Sequence, residues 1–318
     1  MRQEAVIEAQ ALVKTFGDHR AVDGLDLHVE RGEVFGLLGP NGAGKTTTIR
    51  MLTTLLAPSS GSARVCGFDV TRQPGEVRRR IGYVMQRVAH RGLLTGRECV
   101  EIEAALHHMP NGQIKARTQE VLEMVDLAQH ADRKWVEYSG GMQKRLDIAC
   151  GLLHQPEVLI LDEPSLGLDV QSRHRVWEYV HAMRDQGVTV LLATNYLDEA
   201  DKLCSRLVII DRGQAIVSGS AAELKRSVGA DLVQVTSPEP ENVEAAIAGR
   251  PWVKQIVHTE SGDLNIYVEE AAAALPLIMS LAVERGVALE RVTYNQPSLD
   301  DVFLLHTGRE LREAQAVS

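Results

Sequence analysis

The segment from Gly39 to Thr47 constrains this chain more than any other part of its sequence. It reads Gly-Pro-Asn-Gly-Ala-Gly-Lys-Thr-Thr and contains the pattern G-x-x-x-x-G-K-T. Glycines in this pattern let backbone N–H groups turn toward phosphate oxygens. The apolar run Val34–Leu38 predicts a strand before the loop, and the apolar spacing of Thr47–Leu52 predicts a helix after it. The alternative is a chance glycine-rich turn, but the strand–loop–helix context favours a nucleotide phosphate site.

Composition sets limits on the class of protein. The 318 residues are enough for two domains, and 44% of them are apolar. The net charge of -9, without a long basic run, gives no reason to expect nucleic acid or anionic lipid as a partner. The four cysteines are widely spaced, which is typical of reduced thiols in a cytosolic protein.

A membrane role is expected to need a separate subunit. The N-terminus, Met1–Ala5, lacks the apolar core of a signal peptide. The longest apolar run, Ala271–Val283, contains Pro276 and Ser280 and is too short to cross a bilayer.

The pattern of strands and helices predicts an α/β nucleotide-binding core followed by a smaller α+β domain. The apolar runs Val158–Leu161 and Val188–Ala193 are typical of parallel strands buried on both faces. Residues 88–153 are predicted to form a mostly helical subdomain. From residue 222 onward, the predicted order is βαββαβ, the ferredoxin-like unit, with its last strand at Val287–Tyr294. An amphipathic helix at Leu299–Leu305 follows. We therefore expect a domain at 1–221 and an accessory or regulatory domain at 222–318, without catalytic chemistry of its own.

Two adjacent carboxylates end the predicted strand at Val158–Leu161. Successive strand residues point to opposite sides, so Asp162 can face Mg²⁺ while Glu163 faces an attacking water. Read alone, this is equally an exposed acidic pair at a strand end. The phosphate loop favours the catalytic interpretation, because a strand-end Asp on Mg²⁺ is the usual partner of such a loop.

A second anion site is predicted where Ser139-Gly140-Gly141 begins a helix. The serine hydroxyl and the bare glycine N–H groups at a helix start can bind an anion, although an ordinary N-capped helix has the same sequence. One phosphate loop does not need a second anion site, so this segment demands an explanation.

Three further residues have less specific signals. Gln86 ends a strand at a place where it can reach the metal or the water, and its alternative is an ordinary loop residue. Asn195 either holds a γ-phosphate or caps the helix that begins near Tyr196. Phe16 can stack on an adenine ring, or it is a core aromatic residue.

Taken together and in this order, these residues resemble the ATP-binding-cassette (ABC) ATPases over about residues 4–220. Lys45 and its loop match the Walker A motif, Gln86 the Q-loop, and the acidic pair the Walker B motif. Ser139–Gln143 match the signature, Ser165–Asp169 match the D-loop, and Asn195 lies at the switch-histidine position. The closing segment Pro297–Leu304, with Thr307-Gly308-Arg309, is similar to the drug-resistance exporter subfamily of daunorubicin-resistance type.

The resemblance implies a head-to-tail dimer in which each ATP lies between Lys45 of one copy and Ser139-Gly140-Gly141 of the other. It implies Glu163 as general base, with Asn195 and Lys45 as the other catalytic residues, and Thr46, Gln86 and Asp162 as Mg²⁺ ligands. The ATP-binding residues that it implies are Phe16, Gly39, Pro40, Asn41, Gly42, Ala43, Gly44, Lys45, Thr46, Thr47, Gln86, Ser139, Gly140, Gly141, Met142, Gln143 and Asp169.

The sequence departs from the family pattern at two positions. Met142 stands where many members have Gln, a change that is frequent in this subfamily. Asn195 replaces the usual His, and an amide can donate to a γ-phosphate but cannot take up a proton at neutral pH. We therefore predict hydrolysis that persists but is slow.

The function that this resemblance implies is the ATPase subunit of an exporter for a hydrophobic drug or lipid. The chain is then expected at the cytoplasmic face of the cell membrane, bound to a membrane-spanning permease. A groove near Gln86 is expected to receive a cytoplasmic helix of that permease. The alternatives are a non-transport ABC ATPase of DNA repair or translation, an importer ATPase, and a soluble NTPase without a partner. A single phosphate loop without a heptad run argues against the first of these.

Overall fold

A computed structural model describes residues 5–86, 91–228, 231–259, 262–295 and 297–308. Of the predicted features, Met1–Glu4, Ser261, Arg309 and residues 88–90 of the helical subdomain lie outside these ranges. The chain divides after Ser218 into two compact units. No described helix combines the length and the apolar composition that a membrane span requires.

The first unit contains the following elements in chain order: β1 (Ala5–Phe16), β2 (His19–Glu30), β3 (Val34–Leu38), α1 (Lys45–Leu52), β4 (Ser60–Val65), β5 (Phe68–Asp69), α2 (Pro74–Arg78), β6 (Ile81–Val84), α3 (Gly96–Leu106), α4 (Asn111–Met124), α5 (Gly140–Leu152), β7 (Val158–Asp162), α6 (Val170–Asp185), β8 (Thr189–Thr194), α7 (Leu197–Leu203), β9 (Arg206–Asp211) and β10 (Gln214–Gly219, of which Gly219 belongs to the second unit). Short 3-10 turns at Ala128–His130 and Trp135–Glu137 lie between α4 and α5.

The central sheet of this unit has the described strands in the order β10-β9-β3-β8-β7-β6. From β9 to β6 the neighbouring strands run parallel. Every residue of β7 and β8 is buried, as predicted for parallel strands that are covered on both faces. Because the carboxyl ends of parallel strands meet at one edge, the segments after β3, β6, β7 and β8 come together there.

An antiparallel sheet, in the order β2-β1-β4-β5, packs beside the central sheet. One apolar cluster joins the two sheets and α1, with Leu12 and Val65 from one sheet, Leu37 and Ile160 from the other, and Ile49 from α1. The predicted helical subdomain contains α3, α4 and α5, and its first helix begins with a capping box between Thr95 and Glu98. These layers hold the carboxyl edge of the central sheet in place.

The second unit contains α8 (Ala221–Val228), β11 (Asp231–Thr236), α9 (Pro240–Ile247), β12 (Val253–His258), β13 (Leu264–Val268), α10 (Ala271–Glu284), β14 (Arg291–Asn295) and α11 (Leu299–Thr307). Its sheet has the order β12-β13-β11-β14 with antiparallel neighbours, the arrangement of the ferredoxin-like unit. Apolar side chains of α9 and α10 pack on this sheet, and α11 packs against α8. The last strand begins at Arg291, later than the predicted start at Val287, because the Val287 N–H instead donates to the Ala282 carbonyl oxygen and ends α10.

Candidate active site

The phosphate loop has its shape because two of its glycines lie where a side chain does not fit. At Gly44 the φ angle is +106°, and a Cβ there would be 2.5 Å from the Ala21 carbonyl oxygen. At Gly39 a Cβ would be 2.3 Å from the Ile210 carbonyl oxygen. These close approaches put the start of α1, at Lys45, directly behind the loop that follows β3. The N–H groups at a helix start lack partners within the helix, so this position suits an anion.

The rest of the loop has a buried base and an exposed tip. Ala43 is buried, and its carbonyl oxygen accepts from the Gly213 N–H at 3.0 Å. Asn41 and Gly42 are exposed, and the Ala43 N–H donates to the Pro40 carbonyl oxygen at 3.2 Å. Thr47 is half-buried in the first turn of α1. The base is therefore anchored while the tip faces solvent, where a nucleotide would arrive.

Lys45 folds back onto this loop. Its Nζ donates to the carbonyl oxygens of Gly39 at 2.8 Å and Pro40 at 3.0 Å, and it lies 3.4 Å from Oε1 of Glu163. Burial lowers the pKa of Lys45, and the negative charge of Glu163 opposes that effect. The ammonium group thus lies between the loop and the Glu163 carboxylate, and phosphate oxygens can replace the two carbonyl oxygens that accept its hydrogen bonds.

The acidic pair Asp162-Glu163, at the end of β7, has two different environments. Asp162 Oδ1 accepts from the Thr46 hydroxyl at 3.2 Å, and Oδ2 accepts from the Tyr83 hydroxyl at 3.5 Å. Burial raises the pKa of Asp162, and the hydrogen bond from Thr46 opposes that rise. Glu163 follows the last residue of β7 and has a left-handed φ of +48°, which is uncommon for a residue with a side chain.

Gln86 is joined to Glu163 by a short hydrogen bond. The Gln86 Nε2 donates to Glu163 Oε2 at 2.7 Å, while Oε1 of the same carboxylate faces Lys45. Glu163 is only 4% exposed, so these two partners hold both of its oxygens in a largely dry site. The structure therefore joins three of the predicted residues, Lys45, Glu163 and Gln86, by direct contacts.

Asn195 faces the phosphate loop. It follows β8, is 8% exposed, and its Nδ2 donates to Oδ1 of Asn41 at 3.4 Å. The N-cap of α7 is Tyr196, and no side chain caps that helix. The amide therefore lies beside the phosphate loop, and its contact with a γ-phosphate stays a prediction.

The predicted second anion site lies at the start of α5. The Ser139 Oγ accepts from the Met142 N–H at 3.3 Å as an N-cap, and Ser139 and Gly140 are exposed. The Gln143 side chain donates to the Tyr138 carbonyl oxygen at 3.3 Å. A Cβ at Gly141 would lie 2.5 Å from the Ser172 Oγ, so only glycine lets the starts of α5 and α6 lie side by side.

Asp169, in the segment after the acidic pair, caps α6. Its carboxylate accepts from the Ser172 N–H at 2.9 Å and from the Ser172 hydroxyl at 2.8 Å, and the N–H bond lowers its pKa. Leu166 and Val170 beside it are 40% and 66% exposed. Together with Ser139 and Gly140 these residues form one exposed edge, which we call the signature edge: Ser139, Gly140, Leu166, Asp169 and Val170.

Phe16 ends β1 in the antiparallel sheet, where it pairs with His19 of β2. Its ring is 49% exposed, and the Lys14 Nζ lies 5.3 Å from the ring centroid. The ring is open to stacking, so it is not the core aromatic residue of the alternative interpretation.

Comparison with known proteins identifies the family. The ABC transporter family matches residues 22–166, and the family of ATP-binding protein DrrA1-3-like C-terminal domains matches residues 219–307. The chain is 42% identical to the daunorubicin resistance ATP-binding protein DrrA3 of Streptomyces coeruleorubidus, over 98% of this chain and 99% of that protein. This chain belongs to the ABC transporter ATP-binding subunits of the daunorubicin-resistance type.

The chain is also similar to an export protein and to a solved ABC structure. The Nod factor export ATP-binding protein I of Cupriavidus metallidurans is 38% identical over 97% of this chain and 99% of that protein. A solved structure described as a dimeric bacterial ABC transporter cassette, MJ0796, superposes with a TM-score of 0.62 at 25% identity, over 67% of this chain and 98% of that one. The predicted fold class, a P-loop ABC ATPase core with a second α+β unit, is confirmed.

As a member of this family of ABC subunits, the chain binds ATP and hydrolyses it. The family also implies Mg²⁺, and the donor atoms fit this cation. The hydroxyl oxygen of Thr46 and the carboxylate of Asp162 converge at 3.2 Å, and Mg²⁺ prefers such hard oxygen ligands beside phosphate and water oxygens.

The sequence interpretation missed two buried charged residues of the first unit. Glu199 of α7 is fully buried and accepts from the Trp177 Nε1 at 3.0 Å, and burial raises its pKa while the nearby hydroxyls of Thr194 and Ser165 oppose the rise. Lys144 of α5 is 2% exposed. Each is a charged residue at a buried position of a helix, and the sequence alone does not indicate which group it contacts.

Proposed function

We propose that this chain powers the efflux of a hydrophobic drug or lipid through a separate membrane-spanning subunit, to which it binds at the cytoplasmic face of the membrane. Two copies would act as a head-to-tail dimer with ATP between them. The observation that carries the proposal is the separation of two anion-binding features. The phosphate loop and the acidic pair lie at the carboxyl edge of the central sheet, while the start of α5 belongs to the exposed signature edge.

The dimer follows from the chemistry of the signature edge. An exposed helix start with bare glycine N–H groups favours an anion, and the neighbouring Leu166 and Val170 present apolar surface that favours burial. A second copy supplies the anion, which is its bound triphosphate. Its surface also covers the apolar side chains of Leu166 and Val170. The structural neighbour MJ0796 is described as dimeric, which supports a dimer.

Each residue of the site has a role in hydrolysis under this proposal. Glu163, oriented by Gln86, accepts the proton of the attacking water. Lys45 exchanges its carbonyl partners for β/γ-phosphate oxygens, and Asn195 donates to the γ-phosphate. Thr46 and Asp162, with Gln86 nearby, would hold Mg²⁺, and this cation would supply positive charge beside the phosphates. ATP closes the dimer because it binds the closed state better, and hydrolysis removes the γ-phosphate contacts.

Export, rather than import, is supported by the names of the relatives. One is a daunorubicin resistance protein and another a Nod factor export protein, at 42% and 38% identity. Relatives with such different cargo at similar identity favour a transported compound that is recognised by the membrane subunit. We infer that this chain supplies the free energy of ATP hydrolysis and that the membrane subunit selects the transported compound.

The proposal is tested with Glu163→Gln in the full chain. Loss of the general base should lower the hydrolysis rate about 100-fold or more, while ATP binding persists. The variant should therefore form a stable dimer in saturating ATP with Mg²⁺, measured by light scattering. The matched control is Glu178→Gln, an exposed residue of α6, which should hydrolyse ATP normally and dimerise only transiently.

A monomer of Glu163→Gln in saturating ATP would overturn the dimer. Purification of the tagged chain from membranes tests the transport role separately. A stoichiometric multi-helix membrane protein should co-purify, and its absence would favour the non-transport ABC ATPase.

A further inference from the structure

A buried lysine connects the signature helix to the segment that carries Gln86. Lys144 of α5 is 2% exposed, and its Nζ donates to the carbonyl oxygens of Met85 at 2.9 Å and Gln86 at 3.1 Å. Lysine is rarely buried unless its charge has partners. Here the partners are two backbone carbonyls that have just left strand β6, which ends at Val84.

The Lys144 contact lies between two parts of the proposed active site. On one side, the Gln86 amide donates to Glu163 Oε2 at 2.7 Å. On the other side, Lys144 lies less than two turns from Ser139, the N-cap of the same helix. The contacts therefore run without a gap from the exposed start of α5, through Lys144 and Gln86, to the catalytic carboxylate.

We propose that Lys144 is a positioning residue for ATP hydrolysis. Its ammonium group holds the Met85–Gln86 backbone against α5, so that the Gln86 amide orients Glu163 toward the water. When the partner copy's nucleotide binds at the start of α5, a change in the position of this helix is transmitted to Glu163 through Lys144. The inference rests on the proposed roles of Glu163 and of the signature edge.

The alternative is that Lys144 only stabilises the fold. A structural role predicts lower stability with an unchanged turnover of the folded molecules. A positioning role predicts a lower kcat with little change in KM, because the contact acts on the attacking water and not on ATP binding.

The first experiment compares Lys144→Met, Lys144→Arg and Lys144→Gln in the full chain, with MgATP as substrate. Methionine fills the same space without a donor, so kcat should fall about tenfold or more while KM changes less than about threefold. Arginine keeps a charged donor for the carbonyls and should restore kcat to within about threefold of the unmodified chain. The matched control is Lys115→Met, at an exposed position of α4, which should leave kcat unchanged.

The second experiment combines Lys144→Met with Gln86→Ala. If Lys144 acts through Gln86, the double variant should have about the kcat of the slower single variant, because neighbours in one network are not additive. If Lys144→Met does not fold, Lys144→Gln takes its place, since a short neutral amide does not span both carbonyls.

Two results would overturn the proposal: a kcat of Lys144→Met within about twofold of the unmodified chain, or independent losses that multiply in the double variant. Both are distinct from failure of the proposed function. That failure would appear as a Glu163→Gln variant that stays monomeric, whatever the turnover of the Lys144 variants.

Discussion

The two units of this chain bury polar side chains for different purposes. In the first unit, buried polar groups join segments that are far apart in sequence, such as Thr46 with Asp162 across 116 positions and Gln86 with Glu163 across 77. In the second unit, the buried polar residues of the described chain are Ser237, Thr259, Asp263 and Asn265. The Thr259 hydroxyl bonds to the backbone of Asp263 only four positions away and closes a turn.

The buried charged groups of the first unit are suited to a reaction, whereas the buried groups of the second unit mainly stabilise its fold. Burial of a charge costs free energy unless partners compensate it, so a chain keeps such groups where a reaction needs them. The first unit keeps Lys45, Asp162 and Glu163 in one site, whereas the described core of the second unit is an apolar sheet with two helices on it. We therefore expect changes in the second unit to affect stability, and changes in the first to affect turnover.

The largest expected effect concerns the core of the second unit. Phe303 of α11 is 1% exposed, so Phe303→Ala should lower the free energy of unfolding of this unit by about 3–5 kcal/mol. Hydrogen exchange of the amides in β11 and β13 measures this loss. The control is Val283→Ala, since Val283 is 80% exposed and should cost less than about 0.5 kcal/mol.

The kcat of Phe303→Ala tests whether the comparison holds. At a temperature where the variant is folded, its turnover of ATP should equal that of the unmodified chain. A lower kcat in folded protein would mean that the second unit contributes to the reaction, contrary to the prediction that it has no catalytic chemistry.

An intermediate effect is expected at Asn195. Asn195→Ala removes the amide that faces the phosphate loop and should lower kcat about tenfold, equivalent to about 1.4 kcal/mol of transition-state stabilisation. Steady-state ATPase assays measure this change. The matched control is Asn242→Ala in the second unit, whose amide donates to Glu239 at 2.7 Å on the surface. Equal rates for Asn195→Ala and the unmodified chain would refute the proposed γ-phosphate contact.

The smallest effect is a pH dependence of stability in the first unit. Burial, and then the neighbouring His107, lower the pKa of His154 to about 4, and Arg117 adds to this effect. The rings of His154 and His107 stack at 3.9 Å, and Glu103 lies 4.0 Å from His107. The unfolded chain takes up this proton below pH of about 6.5, whereas the folded chain does so only near pH 4. Stability is therefore lost as the pH falls through this window.

We expect His154 to contribute about 1 kcal/mol of this loss between about pH 7.5 and 5.5, after allowance for its partial exposure. His154→Gln keeps a donor for the Ile81 carbonyl oxygen, at 2.9 Å from His154 Nε2, and should flatten the pH dependence of thermal unfolding. His19→Gln, on the exposed start of β2, should leave the slope unchanged. Identical slopes for His154→Gln and the unmodified chain would contradict this origin.

Much of the fold was predictable because its signals are local. Glycines at fixed offsets after Val34–Leu38 define the phosphate loop, and continuous apolar runs define β7 and β8. The start of β14 was misplaced, since the N–H of Val287 has its partner in the preceding helix. The partners of the buried charged side chains were not predictable, because the spacing of Lys144 from Met85, or of Glu199 from Trp177, does not indicate a contact.

By itself, the sequence determined which segment would form the phosphate loop and which acids would end the neighbouring strand, because the conformational freedom of glycine and the apolar run of a buried strand are local signals. Only the tertiary structure decided that Glu163 lies between Lys45 and Gln86, and that a lysine of α5 holds the Gln86 segment. Those contacts depend on the order of strands in the sheet and on burial from water. Both are properties of the whole unit, and no short segment encodes them.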